Sequence, residues 1–272
     1  MGESSHIEVI KRSSSVLRFL SFHQQLTKEH LDLLWKCQEG KHEATVLGVF
    51  ETIIEISLEL SVESLDYIFS KIESIPLKKY NEQVLNFVKD FTMNSCKVVK
   101  HSKNREIIDI NSDDEEEEKL QDFYLENSKA IVAGEVIPPN EFGSQYGIPI
   151  IWKLLHEPTE LGMLALNAFL ELIKFKHCSY FRMDYIMRCI KNLQDGEAVY
   201  QSLEIMTNVI PKRYSQKRFT SNRLQFALGA LQKEFDLIAL TIQNIEKYND
   251  VVQKAMVQFI DKNLELDGIP KM

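Results

Sequence analysis

The amino-acid sequence predicts an all-α protein in which helical hairpins stack into an α-solenoid. Apolar residues recur at spacings of three and four, as at Leu31, Leu34 and Trp35, and this is the period of an amphipathic helix. The chain of 272 residues contains only 10 Gly and 7 Pro, whereas folds made of strands and turns need more of both. The breaks that do occur leave helices of roughly 12 to 20 residues joined by short loops. They fall at Gly40, Pro76, Pro138, Pro139, Pro158, Gly196 and Pro211.

A short pattern near the N-terminus occurs twice. The segment Leu26–Trp35 (LTKEHLDLLW) recurs as Leu60–Phe69 (LSVESLDYIF). In each copy a hydroxyl residue, Thr27 or Ser61, stands where its side chain can cap the start of a helix. Leucines on both sides of each cap form a hydrophobic staple. A period in the thirties with two helices per unit is typical of α-solenoids, because one hairpin cannot bury its apolar face alone.

The chain divides at an acidic stretch into helical repeats over residues 1–105 and 119–272. Residues 106–118 are too polar to offset their ordering entropy, so we expect a flexible linker there. Five basic residues precede the linker and would be attracted to it: Lys97, Lys100, His101, Lys103 and Arg105. The apolar periodicity over residues 224–248 predicts one long helix or a kinked pair of helices. A final helix with Asp250 as its N-cap follows.

Composition and charge exclude several functions. The formal charge of −8 argues against general affinity for nucleic acid, which requires clustered Lys and Arg. The N-terminus lacks the profile of a signal peptide, and no apolar run approaches the ~18 residues that span a bilayer. The cysteines are widely spaced and form no C-x-x-C pair: Cys37, Cys96, Cys178 and Cys189. We therefore expect a soluble protein of the cytoplasm or nucleus with reduced thiols and no membrane contact.

No chemical motif is recognisable. The glycine-rich loops that bind nucleotide phosphates are missing, and the histidines lack the H-E-x-x-H spacing of a zinc site. Cys178 follows His177, but adjacent positions in a chain do not place a thiol and an imidazole in contact. The sequence thus predicts no catalytic residue, no cofactor and no metal.

One region resembles a known family. Leu31–Ala44 combines a Leu-Asp-x-x-Trp helix with a Gly-Lys-His-Glu-Ala turn, and Leu-Asp-x-x-Phe returns at Leu65–Phe69. These features resemble the helical repeat arm of the giant fat-facets-type ubiquitin-specific proteases, and Tyr146–Trp152 carries a weaker similarity. The resemblance implies armadillo/HEAT-like hairpins that precede a separate catalytic domain. The Asn-x-Gly-Asn-Thr-Cys and Gly-His-Tyr boxes of such a domain are absent from this sequence. We therefore expect a non-catalytic scaffold of the ubiquitin system that binds protein clients.

The linker contains the clearest candidate for a binding motif. Its aliphatic run and the acidic residues that follow are similar to SUMO-interacting motifs, in which an extended peptide adds a strand to a sheet edge. Phosphorylation of Ser112 would strengthen the attraction to basic residues. A plain solvated linker explains the same acidic residues. The candidate residues for binding SUMO or ubiquitin are Ile107, Ile108, Ile110, Ser112, Asp113 and Asp114.

Two other functions remain open at this stage. In the first, the chain is a fragment or paralogue of a cysteine-type deubiquitinase whose catalytic domain lies elsewhere. In the second, the chain is a nucleic-acid adaptor. The adaptor would use the basic loop 211–218 (KRYSQKR after Pro211), which places an aromatic residue among four cations. The acidity of the whole chain speaks against the adaptor.

Overall fold

The computed structural model describes residues 3–106, 112–137, 145–209, 219–243 and 248–266. Every regular element in these ranges is helical, so the prediction of an all-α fold is confirmed. The chain forms two compact units, Met1–Ile108 with Gly143–His177 (unit 1) and Asp109–Phe142 with Cys178–Met272 (unit 2). This grouping differs from the predicted division into consecutive segments, because residues after Gly143 pack on helices of the first unit.

The helices follow one another in this order. They are α1 (Glu3–Phe22), α2 (Lys28–Lys36), α3 (Glu43–Ser57), α4 (Val62–Glu73), α5 (Glu82–Glu106), α6 (Ser112–Glu126), α7 (Ser128–Ala133), α8 (Ile148–Leu154), α9 (Glu160–Lys174), α10 (Arg182–Asp195), α11 (Val199–Val209), α12 (Phe219–Phe235), α13 (Leu237–Ile242) and α14 (Asp250–Leu266). Short 3-10 helices span Leu77–Lys79 and Lys176–Phe181.

Unit 1 is built from a row of neighbouring helices. Helix α3 packs on α1, α5 on α3, and α9 on α5, while α4 and α8 also contact α5. The two copies of the sequence repeat lie on α2 and α4, and these two helices contact each other. Repeats that are adjacent in the chain are thus adjacent in space, as in an α-solenoid.

The predicted helix starts of the repeat are present. Ser61 is the N-cap of α4, and its Oγ accepts a hydrogen bond from the Ser64 backbone N–H at 3.3 Å. Thr27 occupies the same position before α2, where its own N–H donates to His30 Nδ1 at 3.1 Å. Gly40 has a φ of +65°, a left-handed conformation that glycine adopts without strain and that separates α2 from α3.

A polar contact joins the first repeat to the second. Asp32 on α2 accepts a hydrogen bond from the Tyr67 hydroxyl at 2.8 Å and pairs with Lys71 at 2.5 Å. The bond from Lys71 and that from Tyr67 lower the pKa of the Asp32 carboxyl. The corresponding residue of the second repeat is Asp66, which also interacts with a tyrosine. Burial raises the pKa of the Tyr146 hydroxyl, and the nearby Asp66 carboxylate raises it further. The aspartate of each repeat thus interacts with a tyrosine of the helix or turn that packs next to that repeat.

An aromatic core lies where α3, α4 and α5 meet. The rings of Phe50 and Phe87 stack with centroids 4.0 Å apart, and Tyr146 contacts Phe69 and Phe91 at 5.5 and 6.2 Å. All five side chains are buried. Aromatic pairs in such arrangements contribute about 0.5–1.5 kcal/mol each beyond the burial of their area. The turn before α8 is therefore part of the core of unit 1.

The next residue of that turn, Gly147, touches α5 with its backbone. Its N–H donates to Thr92 Oγ1 at 3.0 Å. A Cβ at this position would lie 2.3 Å from Val88 Cγ1 and 2.5 Å from Thr92 Oγ1. A side chain fits there only if Val88 and Thr92 shift, so close approach and not backbone angle favours glycine at this position.

Unit 2 is a second helical cluster. Helix α10 packs on α7 and α11, α14 packs on α11, and α12 contacts α6, α13 and α14. Of the two forms predicted for 224–248, the kinked pair is correct: α12 ends before Asp236, which has a φ of +44° and whose carboxylate accepts from Ala239 N–H at 3.4 Å. The cap of α14 is Asn249 and not Asp250, because Asn249 Oδ1 accepts from Val252 N–H at 3.2 Å.

The acidic segment differs from the linker that the sequence predicts. Glu106 ends α5 and Ser112 begins α6, so residues 112–118 are helical, while 107–111 lie outside the described residues. Acidic residues in the first turn of a helix interact favourably with its dipole. Further along α6, Leu120 and Tyr124 are buried and anchor the helix in unit 2. Local polarity therefore did not prevent helix formation.

Replacing Gly147 with Ala should destabilise unit 1. The new methyl group overlaps Val88 and Thr92, and overpacking of this kind costs about 1–3 kcal/mol. Urea denaturation followed by circular dichroism would measure the loss. Gly229→Ala in α12 is the matched control, because no atom lies within 4 Å of its Cβ, and alanine in a helix should raise stability by up to about 1 kcal/mol. Equal stability of Gly147→Ala and the original chain would contradict the close contact.

Candidate interaction surfaces

The residues that the sequence proposes for binding SUMO or ubiquitin fall at the junction of α5 and α6. Ile107, Ile108 and Ile110 lie outside the described residues. Ser112, Asp113 and Asp114 form the first turn of α6. Ser112, Asp113 and Asp114 are therefore helical and are not part of an extended peptide.

The thiols are placed for packing. Cys96, Cys178 and Cys189 are buried, and burial raises the pKa of the Cys189 thiol to about 12. Cys37 is exposed, and its thiol donates to the Leu33 carbonyl at 3.2 Å. A catalytic cysteine needs a lowered pKa and a basic partner. Among the described residues, no hydrogen bond joins Cys37 or Cys178 to a histidine.

The described part of the chain contains neither a metal-binding cluster nor a helix that could span a membrane. No three His, Cys, Asp or Glu side chains there are grouped so that they could hold a metal ion. No helix in those ranges has the length and apolar content to cross a bilayer. The loop 211–218, the candidate for nucleic-acid binding, lies outside the described residues.

Five basic side chains converge in unit 1, and we call them the cationic patch: Lys97, Lys100, His101, Lys176 and His177. The first three lie on one face of α5, since their spacing is i, i+3 and i+4. The other two begin the 3-10 helix that follows α9. The rings of His101 and His177 have centroids 5.6 Å apart, and Phe175 lies 5.1 Å from His177. The sequence groups the α5 residues but offers no local signal that residues 176 and 177 join them.

His177 is the centre of the cationic patch. Its pKa is lowered chiefly by burial, and further by the positive charges of Lys100, His101, Lys176 and Lys97. Its Nδ1 atom is buried and has no hydrogen-bond partner among the described residues. The imidazole is therefore held neutral in an environment that repels another positive charge.

Helix α1 exposes a second surface, which is apolar. One face packs on α3 through Ile10, Ser14 and Leu17, which are buried. The other face leaves Phe19 and Phe22 exposed by 59 % and 82 %, with Val9 and Val16 also exposed. Exposed apolar side chains grouped on one element are typical of contact surfaces.

Lowering the pH should destabilise unit 1 through His177. Because the pKa is lowered in the folded state, the unfolded chain binds this proton at higher pH than the folded chain does. The stability is present above the ordinary pKa of about 6.5 and is lost as pH falls toward the folded-state pKa. The melting temperature should therefore drop less in His177→Gln than in the original chain between about pH 7 and about pH 5. An equal drop in both proteins would contradict this role.

The chain is similar to known proteins that contain helical repeats. Residues 4–103 match the model of the UBP24/USP9X/USP9Y ARM repeat. Over 263 residues the chain is 20 % identical to the probable ubiquitin carboxyl-terminal hydrolase FAF of Drosophila melanogaster, which covers 91 % of this chain and 8 % of that protein. Over 260 residues it is 23 % identical to mouse ubiquitin carboxyl-terminal hydrolase 9X, covering 89 % of this chain and 8 % of the relative.

A further relative matches a shorter part of the chain. Over 85 residues the chain is 28 % identical to human ubiquitin carboxyl-terminal hydrolase 9Y, a match that covers 30 % of this chain and 3 % of that protein. The chain thus spans less than a tenth of the length of the FAF and 9X relatives. The helical hairpins of unit 1 agree with these matches, and residues 4–103 are similar to the ARM repeat of UBP24, USP9X and USP9Y.

Proposed function

We propose that the chain is a non-catalytic interaction scaffold of the ubiquitin system, which binds protein clients on its helical-repeat surface. The observation that carries this proposal is the match of residues 4–103 to an armadillo-repeat region. Similarity to ubiquitin carboxyl-terminal hydrolases along about nine tenths of the chain supports the link to ubiquitin. Solenoids of this type commonly offer extended surfaces to protein partners.

The state of the thiols supports a role without catalysis. Burial keeps Cys189 protonated, and Cys37 is engaged with a backbone carbonyl. The alternative, that the chain is a fragment or paralogue of a deubiquitinase with its catalytic domain elsewhere, agrees with the same matches. In both cases this chain supplies the arm. We expect it to act in the cytoplasm, the nucleus or both.

The segment after α5 is our proposed reader of SUMO or ubiquitin. Five residues in an extended conformation would span about 16 Å, which is enough to pair as a short strand with a sheet edge. The acidic first turn of α6 follows it directly and would face basic residues of the modifier. Ile107, Ile108 and Ile110 supply the aliphatic contacts in this proposal.

The first test is an NMR titration of the chain with SUMO and, separately, with ubiquitin. We expect amide shifts at residues 107–114 with one of the modifiers, and loss of these shifts in an Ile107→Ala/Ile108→Ala/Ile110→Ala variant, because alanine cannot fill the aliphatic pockets. Ile137→Ala is the matched control, since Ile137 is 89 % exposed. Shifts that survive the triple substitution, or no shifts at all, would remove the modifier-reading role.

A second test addresses catalysis. The chain should not release the fluorophore from a ubiquitin amide substrate, because neither Cys37 nor Cys178 is hydrogen-bonded to a histidine in the described part of the chain. Cys37→Ala should show the same background rate as the original chain. Turnover that disappears in Cys37→Ala would overturn the non-catalytic assignment.

A further inference from the structure

Helix α1 carries an exposed face that its packing on α3 does not use. The buried residues Ile10, Ser14 and Leu17 form one stripe of the helix, through which α1 packs on α3. On the opposite side, five exposed residues recur at spacings of three, four, three and four, and we call them the outer seam: Val9, Arg12, Val16, Phe19 and His23. Such alternation keeps side chains on one narrow line, and two helices pack along their length through lines of this kind.

The C-terminal end of the outer seam is an aromatic cluster. His23 directly follows α1, and its N–H donates to the Phe19 carbonyl at 3.1 Å, so His23 continues the line of the helix. The ring of His23 lies 4.4 Å from that of Phe19 and 5.2 Å from that of Phe22, measured between centroids. Both phenylalanines are more than half exposed. An exposed aromatic surface attracts cations to the faces of its rings.

The positive charges of α1 are divided between its two sides. Lys11 pairs with Glu51 of α3 at 3.0 Å, and Arg18 pairs with Glu59, which follows α3, at 2.5 Å. Arg12 instead is exposed and belongs to the outer seam. The seam therefore has a cation in its N-terminal half and aromatic rings in its C-terminal half.

We propose that the outer seam is a self-association surface, on which α1 of a second copy of this chain packs antiparallel to the first. In this arrangement Arg12 lies level with His23 of the other copy, beside its aromatic cluster, and Val16 lies level with Phe19 of the other copy. A parallel pair would place the two Arg12 side chains level with each other, where like charges repel. The seam is thus complementary to itself in the antiparallel direction. The proposal does not depend on the function proposed above.

The size of the surface predicts a weak dimer. The exposed valines and phenylalanines of α1 offer on the order of 500 Å² from each copy, so about 1,000 Å² is buried in the pair, at the lower limit of specific interfaces. Association also costs rotational and translational freedom, so we expect a dissociation constant on the order of 100 µM.

Sedimentation velocity of the full chain tests the proposal at concentrations from about tenfold below to about fivefold above that dissociation constant. The original chain should pass from monomer to dimer over this range. Phe19→Lys should weaken association at least about tenfold, because it places a cation near Arg12 and Val16 of the other copy. Phe226→Lys on α12 is the matched control: Phe226 is 75 % exposed and the change in charge is the same, so the dissociation constant should not change.

Disulfide trapping tests the direction of the pair. Cys37 is exposed, so every protein in this experiment also carries Cys37→Ser. Mild oxidation of an equal mixture of Arg12→Cys and His23→Cys should link unlike copies, since these positions lie level in the antiparallel pair. Like positions would be about 16 Å apart along the helix axis, too far for a disulfide. A parallel pair would link like copies instead.

NMR of the original chain provides a measurement that does not depend on a variant folding correctly. Amide signals of residues 9–23 should shift as the chain is diluted, and those of α14 should not. A monomer at every concentration, equal weakening by Phe19→Lys and Phe226→Lys, or links between like copies would overturn the proposal. The variant lacking Ile107, Ile108 and Ile110 should dimerise normally, so failure of the modifier-reading test and failure of this one are separate results.

Discussion

The contact between α5 and the turn at Tyr146–Gly147 determines how unit 1 is assembled. Gly147 donates its N–H to Thr92, and Tyr146 places its ring against Phe69 and Phe91. This contact brings α8 and α9 onto α5, although α6 and α7 separate them in the chain. The cationic patch follows from it, because residues 176 and 177 reach α5 only if α9 is packed there. The position of these two residues beside α5 thus depends on one glycine.

The two copies of the repeat show how polar contacts can set the register of a stack. Asp32 binds Tyr67 and Lys71 on the neighbouring helix, and Asp66 lies beside Tyr146. Ion pairs exposed to solvent contribute little to stability. The apolar residues Leu31 and Leu65 are buried and supply most of the driving force. The aspartates therefore serve mainly to select which neighbouring side chain each hairpin faces.

Local features of the fold could be predicted from the sequence, and long-range features could not. The cap at Ser61 and the turn at Gly40 depend on a few adjacent residues, and both were predicted correctly. The helix over 112–118 was not predicted, because the polarity of these residues indicates only the entropic cost of ordering them. The buried side chains of Leu120 and Tyr124, which hold the same helix in unit 2, are not apparent from that polarity. His177 joins Lys97 by packing of distant elements, for which a single sequence contains no pattern. The aliphatic motif remains a sequence-based prediction, since residues 107–111 lie outside the described ranges.

The two candidate interaction surfaces of unit 1 consist of side chains that the stacking of helices does not need. Helix α3 is covered by α1 and α5, whereas α1 keeps Phe19 and Phe22 in solvent. In the cationic patch, burial of His177 and the positive charges around it lower the pKa of its imidazole, so protonation of this side chain opposes folding. Stability alone would favour an acidic residue at one of these positions, and sites that bind ligands often carry such a cost.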